Sequence, residues 1–334
     1  MNYPRLFEEF MLRSLRRFGD LLYAIGGAKG RVCILSYHRV LEKPDPLLPQ
    51  DPDVAAFRWQ MNVLAQHFNV LSLADVVTAI EKKERIPPRA VAITFDDGYR
   101  SIFDLAMPIL KEFDLPATVF ISSGFVGQED MWNDRVIEAV RQFSGEKIHL
   151  EDIGLGVHQV ATAAERQVTC KNLITSLKYL PQENRSAQVL AIEKELGIHS
   201  CGASTLTPQM LGRLIEANIE IGAHTVNHPI LENLSDKDAN NEICQSKKEL
   251  EHLLSRTVQF FAYPNGKIGV DFSERHCEMV ESAGFRAGFA GASSTAASGS
   301  NLYRIPRCQP WDKTPVAFSL RLLRWLSYGS RNGN

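Results

Sequence analysis

Short apolar runs alternate with longer amphipathic stretches along most of the chain, and many of the runs end abruptly in polar residues. Residues 31–37 (RVCILSY) and 90–95 (AVAITF) are small, β-branched and aromatic, and read as buried strands. Further strands are expected at 117–121, 219–223, 258–262, 285–289 and 302–305. Between them, apolar residues spaced three and four apart predict helices at 57–68 and 72–83, from 101, from 208, at 235–254 and up to 283. Ser72, Thr207-Pro208 and the Ser235/Asp238 pair supply start signals, and Gly284 a stop. Pro108 is expected to kink the helix that contains it. The small-residue stretch 291–300 reads as a mobile loop.

Polar groups recur at the C-terminal ends of the strands: His38-Arg39, Asp96-Asp97, His224, Asn265-Gly266 and Arg307. Strands alternating with helices, with polar residues at that face, form the pattern of a parallel α/β barrel. A doubly wound sheet obeys a similar rule. No Gly-rich fingerprint opens a helix, so a nucleotide-binding reading has no motif behind it. Residues 127–205 break the rhythm. They are polar and helix-like, and are expected to form a helical insertion covering part of the site.

Composition narrows the function classes. The 334 residues are 44% hydrophobic and 23% charged with a net charge of −2, which supports a sizeable core and gives no footing for a nucleic-acid partner. No apolar run is long enough to span a bilayer. Cys33, Cys170, Cys201, Cys244, Cys277 and Cys308 are scattered without a CxxC pair, and read as reduced thiols of a cytoplasmic protein. The N-terminal segment, with Glu8 and Glu9 ahead of its apolar part and Arg13, Arg16 and Arg17 within it, is a poor signal peptide. Residues 5–25 form an amphipathic helical pattern, expected to pack on the domain. The similar character of 319–329 keeps a peripheral contact with an anionic inner membrane face as the other reading. The expected organisation is an N-terminal amphipathic helix at 1–29, one domain at 30–312 and a basic amphipathic tail at 313–334.

The candidate chemistry lies in two stretches. TFDDG (94–98) delivers two carboxylates to a strand end, where they either cap the next helix or take separate roles at a site. HTVNH (224–228) spaces two histidines i, i+4. On a helical turn they would face one way and bind one metal. Two imidazoles and one carboxylate leave coordination positions open, as in catalytic metal sites, and also fit a non-heme iron oxygenase by ligand type. The spare carboxylate favours hydrolysis, because it can act as a base. His67, His149, His158, His199, His252 and His276 fall outside any ligand pattern.

With TFDDG, HTVNH and FAYPNG (261–266) in this order and spacing, the chain resembles the polysaccharide deacetylases of the NodB-homology type, carbohydrate esterase family 4. ILSYHRV near the start and RIPR at 304–307 recur in one branch of that family, and the resemblance covers roughly residues 30–310. It implies a deformed (β/α) barrel and a divalent metal, most often Zn2+. By analogy Asp97, His224 and His228 hold the metal, Asp96 is the general base, and the Asn265 N–H helps to hold the oxyanion. The expected reaction removes N-acetyl groups from an N-acetylated polysaccharide or a lipid-linked sugar. A sugar-binding homologue without turnover, or an O-deacetylase, is the alternative. Three features depart from the family pattern. Ala262 stands where many relatives carry the arginine that steadies the base, leaving Arg307 or Arg100 to orient Asp96. No Leu-x-His follows, which makes His38 the candidate general acid. No export signal is seen. Tyr263 and Arg307 are candidate substrate contacts. So is Trp132, which can face a ligand or simply pack at a helix start.

Overall fold

Strand β1 (Arg31–Tyr37) runs parallel to β3 (Ala90–Phe95), with Val32 opposite Ala90 and Tyr37 opposite Phe95. The computed structural model describes residues 12, 14, 30–128, 130–198 and 204–328. The parallel order continues through β4 (Ala117–Ile121), β7 (Ile219–Ala223), β8 (Phe260–Ala262), β9 (Ala287–Gly291) and β11 (Ile305–Arg307). The sheet then returns to its start. Leu35 bridges Cys308, the Ser36 N–H donates to the Cys308 carbonyl at 2.9 Å, and the Cys308 N–H donates to the Ile34 carbonyl at 2.7 Å. This is the deformed (β/α) barrel. Two short strands decorate it: β2 (Asn69–Val70) parallel to β3, and β10 (Ala296–Ala297) antiparallel to β1. The stretch 291–300, expected as a mobile loop, is therefore partly paired. Ala296 is small enough to pack fully buried beside Val32.

Because both faces of the sheet are covered, all six residues of β3 are buried. They divide by the two-residue period of a strand. Val91, Ile93 and Phe95 pack outward under the helices α1 (Val54–His67), α3 (Met107–Glu112), α7 (Pro208–Glu216), α8 (Asp236–Leu254) and α9 (Glu274–Ser282). Ala90 and Ala92 join Phe120, Phe260, Phe289 and helix α2 (Leu73–Glu81) in a second cluster. Phe120 and Phe289 meet at 5.5 Å although β4 and β9 are not neighbours in the sheet, so this cluster fills the barrel interior. Ser72, Thr207 and Ser235 cap their helices through side-chain oxygens, as expected. Pro108 does not kink a regular helix. The chain passes from a π-helical turn (Ile102–Ala106) into α3 just ahead of it, which accommodates the missing N–H.

The insertion holds helices α4 (Trp132–Gln142), α5 (Ala163–Lys178) and α6 (Gln182–Leu196). It also contains an antiparallel hairpin, β5 (Lys147–Leu150) with β6 (Gly156–Gln159), which was not expected. In KIHL the exposed–buried alternation is clear only once Ile148 and Leu150 are seen to pack on the helices. Val136, Val140, Leu173, Leu177, Val189 and Ile192 give the insertion its own small core. The expected N-terminal helix at 5–25 lies outside the described residues, except for Leu12, buried in the main core, and Ser14. The expected basic tail contains helix α10 (Pro315–Tyr328), whose apolar face is covered. Phe318 and Leu322 are fully buried, and Trp59 of α1 meets Phe318 edge-on at 5.6 Å. Leu320 of the same helix stays exposed. Among the described residues, no helix is long and apolar enough to cross one.

Candidate metal and catalytic site

The parallel register of β1 and β3 sets His38 and Asp96 side by side at one rim of the barrel. The two adjacent carboxylates have different surroundings. Asp96 is 5% exposed and is clamped by Arg307, with Nη1 to Oδ1 at 2.6 Å and Nη2 to Oδ2 at 2.8 Å. The Ser36 hydroxyl adds a bond to Oδ2 at 3.2 Å. Burial would raise the Asp96 carboxyl, but the Arg307 guanidinium outweighs it and holds the group well below the usual carboxylate range. Asp97 follows with φ +73°, a left-handed conformation unusual for a side chain with a Cβ. Gly98 is also left-handed, at φ +82°, and a Cβ there would press on Ile121 Cδ1 at 3.0 Å. This turn swings Asp97 away from Arg307. Its buried Oδ1 has no hydrogen-bond donor and lies 3.6 Å from His224 Nε2 and 3.4 Å from His228 Nε2.

The two histidines are not on a helical turn. HTVNH is a loop, with Thr225 at φ +66° and His228 at φ +52°. The loop is built from outside. Glu242 on α8 accepts from the Val226 N–H at 2.8 Å, the Asn227 N–H at 2.9 Å and Asn227 Nδ2 at 2.7 Å. The Thr225 hydroxyl accepts from the His228 N–H at 3.1 Å. The two rings therefore converge at 4.9 Å between centroids. His224 Nδ1 lies 2.7 Å from the Ala262 carbonyl oxygen, which accepts its proton and turns Nε2 towards Asp97. Burial holds His228 down to about 4, against the pull of Asp97, so its ring is neutral near pH 7.

One cleft of about 860 Å³ takes in His38, Asp96, Asp97, His224, His228 and Asn265. Asn265 is exposed at φ +57°, just before Gly266. A Cβ on Gly266 would stand 2.3 Å from the Gly291 N, so only glycine lets β9 close under this turn. Trp132, at the first turn of α4, also lines the cleft. Arg307 reaches the floor of the cleft but is 3% exposed and spends both Nη atoms on Asp96, so it is a positioning residue and not a substrate contact. Arg100, the other candidate for that task, pairs with Asp104 at 2.9 Å away from Asp96. Tyr263 is not on the cleft. It is 1% exposed, stacked on Phe272 at 3.7 Å, and donates to the Tyr303 carbonyl at 2.7 Å. The aromatic residue ahead of Pro264 points outward into the core because it continues the alternation of β8.

Sequence reasoning missed Ser36, Glu242 and the cluster around Arg39. Arg39 lies over the Tyr99 ring at 3.8 Å and pairs with Asp134 at 2.7 Å, which ties the insertion to the barrel beside His38. No local pattern links residues so far apart. The polar HR pair after β1 was the one available signal.

The residues fit a divalent cation. Asp97, His224 and His228 each offer one atom, and these lie within 4.8 Å of one another. Spacings of 3.4 and 3.6 Å are too long for hydrogen bonds but suit ligands about 2.0–2.2 Å from one shared ion. The orphaned Asp97 oxygen is the atom such an ion would satisfy.

Comparison with known proteins shows the fold and the family. Two solved structures share the fold: Streptococcus pyogenes deacetylase PplD in complex with acetate (TM-score 0.59, 18% identity, 90% of this chain and 99% of that one) and IcaB from Ammonifex degensii (TM-score 0.58, 16% identity, 89% and 97%). In sequence the chain is 30% identical over 118 residues to the poly-beta-1,6-N-acetyl-D-glucosamine N-deacetylase of Staphylococcus aureus strain MSSA476, a match covering 32% of this chain. It is 31% identical over 119 residues to that of Staphylococcus epidermidis, again 31% of this chain. The chain spans about two fifths of the length of these relatives, 41% and 40%. The family model for polysaccharide deacetylases matches residues 83–288, more than half of the chain, and the chain belongs to that family.

Proposed function

We propose that this chain is a metal-dependent N-deacetylase of an N-acetylated hexosamine polymer, with β-1,6-linked N-acetylglucosamine, the substrate named for its relatives, as the first candidate. The observation that carries this reading is the asymmetry of the adjacent carboxylates. Asp96 is fixed as an anion by Arg307, whereas Asp97 turns an oxygen without a hydrogen-bond donor towards two imidazoles. Asp97, His224 and His228 would hold the ion, Zn2+ being the first choice for this ligand set. When bound, it supplies a lower pKa for a water and polarisation of the amide carbonyl.

The chain's own groups do the rest. Asp96 Oδ2 accepts from both Arg307 and Ser36, whereas Oδ1 accepts from Arg307 alone, keeps a lone pair and can take the proton of the attacking water. Asn265 lines the cleft, and its backbone N–H would help to hold the charge that gathers on the carbonyl oxygen. His38, at the neighbouring strand end, returns a proton to the amine nitrogen as the C–N bond breaks. Acetate and a free amine leave. With Arg307 in the orienting role, the alanine at 262 no longer argues for a homologue without turnover. The five described cysteines are all free, which fits a reducing compartment such as the cytoplasm.

The test is acetate release by the zinc-loaded protein from N-acetylated β-1,6 and β-1,4 hexosamine oligomers, a lipid-linked N-acetyl sugar and an O-acetylated sugar. Release from an N-acetyl member is expected. Release from the O-acetyl sugar alone would make the protein an esterase, and release from none would leave a binding role.

A further inference from the structure

The insertion supplies a wall of the cleft that the chemistry above leaves unused. Its charged residues there are Lys171, Lys178 and Arg185, all cations. The cleft carboxylates, Asp51, Asp96 and Asp97, lie outside the insertion. Lys171 is exposed, and Lys178 lies 3.9 Å from Asp271. Arg185 differs from both: it is 4% exposed, yet it lines the cleft. Among the described residues its guanidinium has no carboxylate at ion-pair distance, and its contact is the Trp132 ring, 5.0 Å away. Glu242, the acid that acts on it at longer range, already accepts from Val226 and Asn227.

A buried guanidinium without an anion is costly, and a cation–π contact recovers only part of that cost. Burial pulls Arg185 below its ordinary value, with Glu242 the opposing charge. A neutral side chain would prop Trp132 without this penalty. The position also matters, because Arg185 lines the same cleft as Asp97, His224 and His228. A planar fork facing a cleft, with its donors unused, is suited to an oxyanion.

We propose that Arg185, backed by the Trp132 face, forms an anion subsite of the cleft that takes a phosphate or carboxylate carried by the N-acetylated sugar. This rests on the reading that the cleft binds such a sugar, and adds that the preferred sugar is charged. Lys171 and Lys178 on the same wall would draw the anion in, an effect that salt weakens.

The experiment is calorimetric titration of the zinc-loaded full chain with N-acetylglucosamine 1-phosphate, N-acetylglucosamine and inorganic phosphate. The sugar phosphate is expected to bind at least about tenfold tighter than the neutral sugar. Arg185→Gln should abolish that preference, Arg185→Lys should keep part of it, and His224→Ala should leave it in place. Equal affinity for charged and neutral sugars in the parent overturns the proposal without any variant. A preference lost in His224→Ala but kept in Arg185→Gln also overturns it, by placing the anion on the triad. Inorganic phosphate binding as tightly as the sugar phosphate would overturn the sugar-borne source in favour of free phosphate. No arm reads turnover, so a failure of the deacetylase reading would show separately, as absent acetate release.

Discussion

Asp96 and Asp97 are adjacent, identical and nearly equally buried, yet their partners differ, and the proposed function gives them different tasks. Asp97→Asn should lose metal, read as zinc per chain after dialysis. Asp96→Asn should keep it. The Asp96–Arg307 pair is a buried ion pair, so Arg307→Gln leaves a carboxylate without its cation. It should destabilise the fold by about 3–5 kcal/mol in denaturant unfolding, and the Asp96→Asn/Arg307→Gln double variant by clearly less than the sum of the two single losses. Additive losses would mean that the pair is not coupled. At this scale the cluster of Asp97, His224 and His228 was legible, because TFDDG and HTVNH are local motifs. The partner of Asp96 was legible only as a choice between Arg100 and Arg307. That choice depends on barrel closure, which brings together residues 211 positions apart. Tyr263 was misread because a residue at a strand end was taken to share the direction of the site.

Elements were legible where one period dominated. Strands 117–121 and 219–223 appear with the expected bounds, whereas the β5–β6 hairpin did not register, because four-residue strands carry too little alternation. The HTVNH loop was misread as helical because i, i+4 spacing says nothing about the left-handed residues that actually turn the chain. Its geometry rests on Glu242 of α8. Glu242→Gln cannot accept all three bonds, and should weaken zinc binding by about 10–100-fold in a chelator competition, with a small change in melting temperature. A second element-scale prediction concerns β7. Burial raises the Glu220 carboxyl to about 7, despite the Thr118 hydroxyl at 3.3 Å and the Arg286 charge. A raised acid binds its proton more tightly when folded. Stability therefore falls as pH rises from the ordinary glutamate range to about 7, and stays low above it. Glu220→Gln should be stabilising relative to the parent at pH 8, by up to about 3 kcal/mol, and nearly neutral at pH 4.5. The same effect at both pH values would show that ionisation is not the cause.

For the whole molecule, a parallel barrel with its site at the C-terminal strand ends was readable from the alternation of elements and the polar residues that close them. Three features were not. Closure depends on Cys308 pairing with β1 from the far end of the chain. The insertion has a core of its own that also draws in Leu47, so it forms a wall of the cleft rather than a loose cover. Helix α10 spends its apolar face on α1 and β1, although its sequence also suits an interface. These are tertiary choices between two acceptable fates for the same pattern. Together they gather Asp96, the Asp97, His224 and His228 cluster and Asn265 around a single cleft, where the proposed function needs a base, a ligand triad and an oxyanion donor. The most direct test of that arrangement is the initial rate of acetate release by Asp96→Asn at the same zinc content as the parent, on a β-1,6-linked N-acetylglucosamine oligomer. Loss of a general base predicts a rate lower by about 10²–10⁴-fold with zinc retained, and a rate within about twofold of the parent would contradict the division of labour between the two aspartates.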